Sequence, residues 1–411
     1  MGNTSGNKKK IINDPVHGFI SISHNILFDI IEHSYFQRLR RIKQLGLTDI
    51  VYPGAIHTRF QHALGTMFLM DEALKNLKLK KQNINNDEVK AAKAAILMHD
   101  IGHGPFSHAL EHSIVNDISH EEISLLMMKK LNEQFFGKLK IAIDIFQGNY
   151  PKKYLSQLIS SQLDVDRMDY LRRDSFYTGV SEGVIGSGRI LNMLNVKDDS
   201  LVVEHKGIYS IDNFLNARRI MYWQVYLHKA VLSAEFMLIN ILKRAKVLAA
   251  QNVELFSTPA LAFFLYNNIQ KVDFLKSDEP LENFSLLDDF DILSSIKVWT
   301  KHKDLILSDL CSRLINRNLL KISLKDDAFT KEELGNLIRT LKLKLPFAAE
   351  HPEYYVFTGT SENHFYDYSK DNINILMKDG SVKDISLVSD QWNSSLSNFA
   401  SKKFFLCYPK F

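Results

Sequence analysis

Glycine and proline are scarce in this 411-residue chain, at 18 and 9 residues, and this scarcity most constrains the fold. Both residue types interrupt regular elements, so their rarity favours long helices over sheets. Apolar residues at helical intervals predict helices over 26–45, with a basic face, and over 58–76 and 87–99. Gly102, Gly104 and Pro105 interrupt the pattern, and a new helix is expected from Ser107. Ser119 with Glu122, and Thr330 with Glu333, read as capping boxes. Residues 156–173 are expected to be helical, 211–248 one long helix, and 258–345 mostly helical. Two short strands are expected within 197–210. Further strands are expected at 354–357, 373–377 and 382–387, with a hairpin turn at Asp379-Gly380. The composition shifts at Pro346. The expected fold class is therefore mainly α, with a flexible tail over 1–12, a helical core over 13–250, a helical extension over 251–345 and a small α/β lobe over 346–411.

Composition narrows the function classes. Hydrophobic residues make up 45% and charged residues 24%, which excludes intrinsic disorder for most of the chain. The net charge of +4 is too small to imply a nucleic-acid or membrane partner by itself. Only two cysteines, Cys311 and Cys407, are present, which excludes a disulfide scaffold and fits a reducing cytosol. The longest apolar stretch, 230–242, contains Glu235 and falls short of the roughly 20 residues of a membrane span. The start, MGNTSGNKKK, has no apolar stretch behind it, and Gly6 stands where a myristoylation signal needs Ser or Thr. A cytoplasmic protein is the expectation.

Seven of the fifteen histidines (His57, His62, His99, His103, His108, His112 and His120) fall between positions 57 and 120. Histidine is the commonest metal ligand and a proton carrier near neutral pH. The strongest local motif is His99-Asp100 at the end of an apolar helix, followed by Ile-Gly-His103-Gly-Pro-Phe-Ser-His108. Two adjacent ligands do not close a metal site. His62 upstream, in RFQHALG, and Asp166 downstream, in DVDRMDYLRRD, supply a further imidazole and a further carboxylate. Asp166, Tyr170 and Asp174 are each four apart and so share one helical face.

This order of ligands resembles the HD-domain metal-dependent phosphohydrolases. INDPVHG, FQRLRRIKQLG, YPGAIHTRFQHALG, MHDIGHGPFSHALEH and DVDRMDYLRRD resemble the deoxynucleoside triphosphate triphosphohydrolase branch, including the dGTPases and the animal enzymes that add a SAM domain. The resemblance is close over about 11–230, and the 411 residues carry no counterpart of the SAM domain. It implies that the core is an HD phosphohydrolase domain hydrolysing a dNTP to deoxynucleoside and inorganic triphosphate.

By the same resemblance, His62, His99, Asp100 and Asp166 hold a divalent metal (Zn, Mn, Fe, Ni or Mg). His103, His108, Glu111 and His120 are catalytic, with His108 the general acid and Glu111–His120 a proton relay; Glu111 stands where the family often has Asp. Arg59, Arg167 and Arg218 grip the triphosphate. Tyr170 and Asp174 hold the sugar, Tyr226 crowds its 2′ edge, and Gln44 and Leu45 form the floor. Lys10, Asn13, Gln37 and Arg40 match an activator-nucleotide pocket between subunits of a homodimer or homotetramer. His57 and His112 are read as structural, as are two of Tyr222, Trp223 and Tyr226. A triphosphate brings roughly four negative charges, which arginines grip in forked geometry and a metal partly neutralises. Two alternatives remain at this point: the same site acting on another nucleotide phosphoester, and a non-catalytic, nucleic-acid-binding HD protein.

Overall fold

The computed structural model describes residues 10–106, 110, 113, 115, 117–364, 372–390 and 400–411. The chain is mainly helical, with three small sheets among the described residues. Its centre is α2 (Arg59–Leu79), preceded by α1 (Asn25–Glu32). Thr58 and Gln61 cap α2 reciprocally, and every residue from Phe60 to Leu64 except Gln61 is buried. A helix buried nearly all round must lie between others. It packs against α3 (Asn86–Met98) and a helix over Val165–Thr178. The eight residues Ala91–Met98 of α3 are all buried, which carries His99 and Asp100 at its end deep into the core.

Next come α4 (His120–Gln134), capped by Ser119 and Glu122 as expected, α5 (Lys140–Phe146) and α6 (Val165–Thr178). The helix expected over 156–173 is two pieces: Lys153–Gln157, then α6, started by Asp164 accepting from the Arg167 N–H and stopped by Gly179 at φ +75°. The segment expected as one helix over 26–45 is likewise broken. After α1 it turns at His33, then runs through short helices over Ser34–Gln37 and Arg38–Arg41.

The long helix expected over 211–248 also splits, into α7 (Ile208–Met221) and α8 (Lys229–Ala250). Between them Tyr222–Tyr226 forms a π-turn, and the His228 ring caps α8 by accepting from the Ala230 N–H at 3.2 Å. Such π-turns often mark functional sites, and this one carries Tyr226.

Strands β1 (Lys10–Asp14) and β2 (Gly18–Ile22) form an antiparallel hairpin, so Lys10–Ile12, within the segment expected as a tail, belong to a strand. β3 (Leu194–Lys197) and β4 (Ser200–Glu204) match the expected strand pair, shifted slightly N-terminal. β5 (Lys321–Lys325) lies within the stretch expected to be helical. Of the C-terminal strands, β6 (Phe357–His364) starts where the expected strand ends, because Pro352–Tyr354 forms a helical turn. β7 (Asn374–Leu376) and β8 (Val382–Asp384) form the Asp-Gly hairpin, and β9 (Ala400–Tyr408) ends the chain. These strands join earlier ones, in the orders β3-β4-β7-β8 and β5-β9-β6. Among the described residues no single helix is long and apolar enough to cross a membrane.

Candidate metal centre and adjoining cavity

The ends of three helices converge on one point. His62 from the first turn of α2, His99 from the end of α3 and Asp166 from the first turn of α6 place ligand atoms within 4.8 Å of one another. His62 Nε2 lies 3.0 Å from Asp166 Oδ1, and His99 Nε2 lies 3.5 Å from it. Asp100 adjoins them, its Oδ1 3.4 Å from His99 Nε2 and its Oδ2 accepting from Arg59 Nη1 at 2.7 Å.

Each imidazole is held by its other nitrogen. His62 Nδ1 bonds Asp169 Oδ2 at 2.8 Å, and His99 Nδ1 bonds the Ile96 carbonyl at 2.6 Å. Both Nε2 atoms are buried without a well-formed hydrogen bond. A buried ring nitrogen left this way needs a reason. Two such nitrogens aimed at one carboxylate, with the opposite nitrogens anchored, are the donor set of a divalent metal. The residues present therefore fit a metal.

Electrostatics agree. Burial opposes charge on the His62 ring, but the Asp166 and Asp169 carboxylates beside it overrule this and lift it to about 10. Burial likewise opposes ionisation of Asp166, yet His62 and His99 hold it well below the usual carboxylate range. His103 behaves differently: burial, reinforced by Arg59, pushes it well below the usual histidine value. It is thus a neutral imidazole at pH 7. It stacks on His120 with centroids 3.8 Å apart and lies 3.3 Å from Asp100.

A buried polar network that the sequence reading missed supports His62. Asp169 also accepts from Arg173 Nε (2.8 Å) and Nη2 (3.0 Å) and bonds His17 Nε2 (2.6 Å). Arg173 bonds Asp14 in turn at 2.8 and 3.3 Å. The INDPVHG motif thus braces the site through Asp14 and His17. Gly65 makes room for this, since a Cβ there would sit 2.0 Å from Asp169 Oδ1 and 2.3 Å from Arg173 Nη2. Arg38, fully buried, donates to the carbonyls of Ile101 and His103 at 3.1 and 2.8 Å and so fixes the loop after the His-Asp pair.

Beside the cluster lies a cavity of about 340 Å³. Gln44, Leu45, Arg59 and Tyr226 line it, four of the expected substrate residues, together with Phe106 and Glu235. Gln44 Oε1 is buried with no hydrogen-bond partner among the described residues. Tyr226 donates its hydroxyl to Asp174 Oδ2 at 2.7 Å, and Tyr170 meets the Tyr226 ring edge-on at 6.2 Å. His57 bonds Asp174 Oδ1 at 2.8 Å and stacks on Tyr177. Face-sharing by Asp166, Tyr170 and Asp174 on α6 therefore holds. Arg167 pairs with Asp164 at the start of its own helix, and Arg218 donates to Gln162 at 2.9 Å.

His108, Glu111 and His112 lie outside the described residues. Among the described residues, Glu121 lies 3.3 Å from His120. Of the expected regulatory residues, Gln37 and Arg40 come together at 2.9 Å, with the Arg40 guanidinium 3.5 Å above the Phe60 ring. Lys10 lies over Phe28 instead, and Asn13 pairs with Phe19 in the β1–β2 hairpin.

Comparison with known proteins accords with this geometry. The HD domain model matches residues 59–174, and an HD associated region matches 185–258. A phosphohydrolase of Bacteroides thetaiotaomicron has the same fold, with a TM-score of 0.95 and 53% identity over 98% of this chain and all of that one. The chain belongs to the HD phosphohydrolase superfamily. The uncharacterized protein YwfO of Bacillus subtilis is 32% identical over 92% of this HD protein and 87% of its own length. The Dictyostelium discoideum homolog of the deoxynucleoside triphosphate triphosphohydrolase SAMHD1 is 34% identical, over 57% of this chain and 49% of its own.

Proposed function

We propose that this HD phosphohydrolase hydrolyses deoxynucleoside triphosphates to the deoxynucleoside and inorganic triphosphate. One observation carries the reading. The His62–His99–Asp166 cluster adjoins a nucleoside-sized cavity whose lining includes Arg59 and Tyr226, with Asp174 held behind Tyr226. Relatives named for this activity support it.

In the reaction a water oxygen bonds the α-phosphorus, the bond from phosphorus to O5′ breaks, and a proton goes to O5′. A metal held by His62, His99, Asp100 and Asp166 would supply Lewis acidity and a water of lowered pKa. Arg59 spans the Asp100 carboxylate and the cavity, so it is placed to meet the phosphates as they enter. Neutral His103 can donate to a phosphate oxygen through one ring nitrogen. Asp174, oriented by His57 and Tyr226, retains lone pairs for the 3′ hydroxyl. His108 is assigned the acid role by the sequence resemblance alone.

Incubation with each dNTP and with several divalent metals, followed by identification of the phosphate product, tests this. Triphosphate and deoxynucleoside are expected. Release of only mono- or diphosphate, or no turnover with any metal, would refute it.

A further inference from the structure

Glu235 interrupts the longest apolar stretch of the chain, and it does so on the wall of the cavity. It projects from α8, nine residues after Tyr226. Leu45, Leu47, Phe106, Leu232 and Leu238 share the cavity wall with it, alongside the polar Gln44 and Arg59. Among the described residues its carboxylate has no hydrogen-bond or ion-pair partner. Burial without such compensation lifts the carboxyl to about 7. An isolated carboxylate drawn away from water is costly to a fold, and no described residue repays this half-buried one. A ligand edge that donates hydrogen bonds would.

The phosphate end of a bound nucleotide belongs with Arg59 and the metal cluster, and the sugar with Tyr226 and Asp174. The base is then left for the apolar part of the cavity, where Glu235 stands. We infer that Glu235 reads the nucleobase, and that its carboxylate pairs with the adjacent N1–H and N2–H donors of guanine. Two acceptor oxygens match two neighbouring donors in forked geometry. Adenine presents an acceptor at N1 next to its N6 amino donor, so an ionised carboxylate meets it with one repulsive contact. Thymine offers a single imino donor between two carbonyls. The inference rests on the proposed dNTP hydrolysis and adds its base preference.

The test compares kcat/KM for dGTP, dITP, dATP and dTTP at pH 8, where the carboxylate is mostly ionised, in the wild-type protein, Glu235→Gln and Glu235→Met. Hypoxanthine keeps N1–H and lacks the N2 amino group, so wild-type rates should rank dGTP, dITP, dATP. Glu235→Gln replaces one acceptor by a donor and should lower the dGTP:dATP ratio about 10- to 100-fold. Glu235→Met should flatten the preference and raise the melting temperature, since a half-buried carboxylate without a described partner is gone. A dGTP-induced rise in melting temperature, measured in chelator, gives a reading independent of turnover and should shrink in both variants. Unchanged base ratios in active, folded variants would overturn the inference and leave the hydrolase reading standing. A wild-type protein that neither binds nor turns over any dNTP would overturn both.

Discussion

Asp169→Asn tests whether the network behind the metal cluster does what its geometry implies. Asp169 is fully buried and takes four contacts: His62 Nδ1, His17 Nε2 and two nitrogens of Arg173. An asparagine keeps the shape and one acceptor oxygen but removes the charge. Two effects follow. His62 loses the carboxylate that fixes its ring and raises its basicity as a ligand, so metal affinity should fall about 10- to 100-fold. Arg173 loses one of its two buried counter-charges. Breaking such a pair costs about 3–5 kcal/mol, and because Asp14 remains within 2.8 Å of Arg173, the lower end, about 3 kcal/mol, is expected.

The assay is metal affinity by competition with a chromophoric chelator, alongside chemical denaturation. Gly65→Ala approaches the same point sterically, since its new Cβ would collide with Asp169 and Arg173. It should weaken metal binding without altering any charge. A folded Asp169→Asn protein with wild-type metal affinity would refute the argument that this network orients His62.

Tyr226→Ala should relax discrimination between dATP and ATP, within the roughly 10–200-fold range that crowding by one small group can supply; parallel kinetics on the two nucleotides check this, and an unchanged ratio would place the 2′ edge elsewhere. Glu235 gives stability a pH dependence with a definite sign. Its carboxyl is raised from 4.5 to about 7, so the folded state holds the proton more tightly, and the stabilisation present below pH 4.5 is lost as pH rises to about 7. The span is about 3 kcal/mol at most, and Glu235→Gln should flatten that part of the denaturation profile. For the proposed oligomer and its activator nucleotide, Arg40→Ala should abolish any rise in mass and rate on adding a second nucleotide. Metal content should be unchanged, and light scattering with turnover measured side by side decides it.

What was legible in the sequence, and what was not, follows from the range of the forces involved. Capping boxes at Ser119 and Thr330 could be read because a cap is a contact over three residues. The convergence of His62, His99 and Asp166 could be read because a metal demands particular donor types, and the motif words carried them. The break between α7 and α8 was not legible. Periodicity runs through 211–248 without a glycine or proline to stop it, and what interrupts it is a π-turn in the segment that brings Tyr226 onto Asp174. Asp169, Arg173, Asp14 and His17 escaped for a related reason. A metal ligand announces itself by type, whereas the residue that orients it is any partner brought near by the fold, here across 152 positions between His17 and Asp169. Yet a trace was present. Asp169 and Arg173 stand four apart on the helix that also offers Asp166, and a second charged stripe beside a catalytic one on a core helix must find buried partners. Glu235 follows the same logic in reverse. It is the one acidic residue in an apolar helical stretch, and among the described residues it has a cavity wall in place of a partner. A charge that a sequence places in an apolar run, and that the fold leaves unpaired, points to a ligand that completes it.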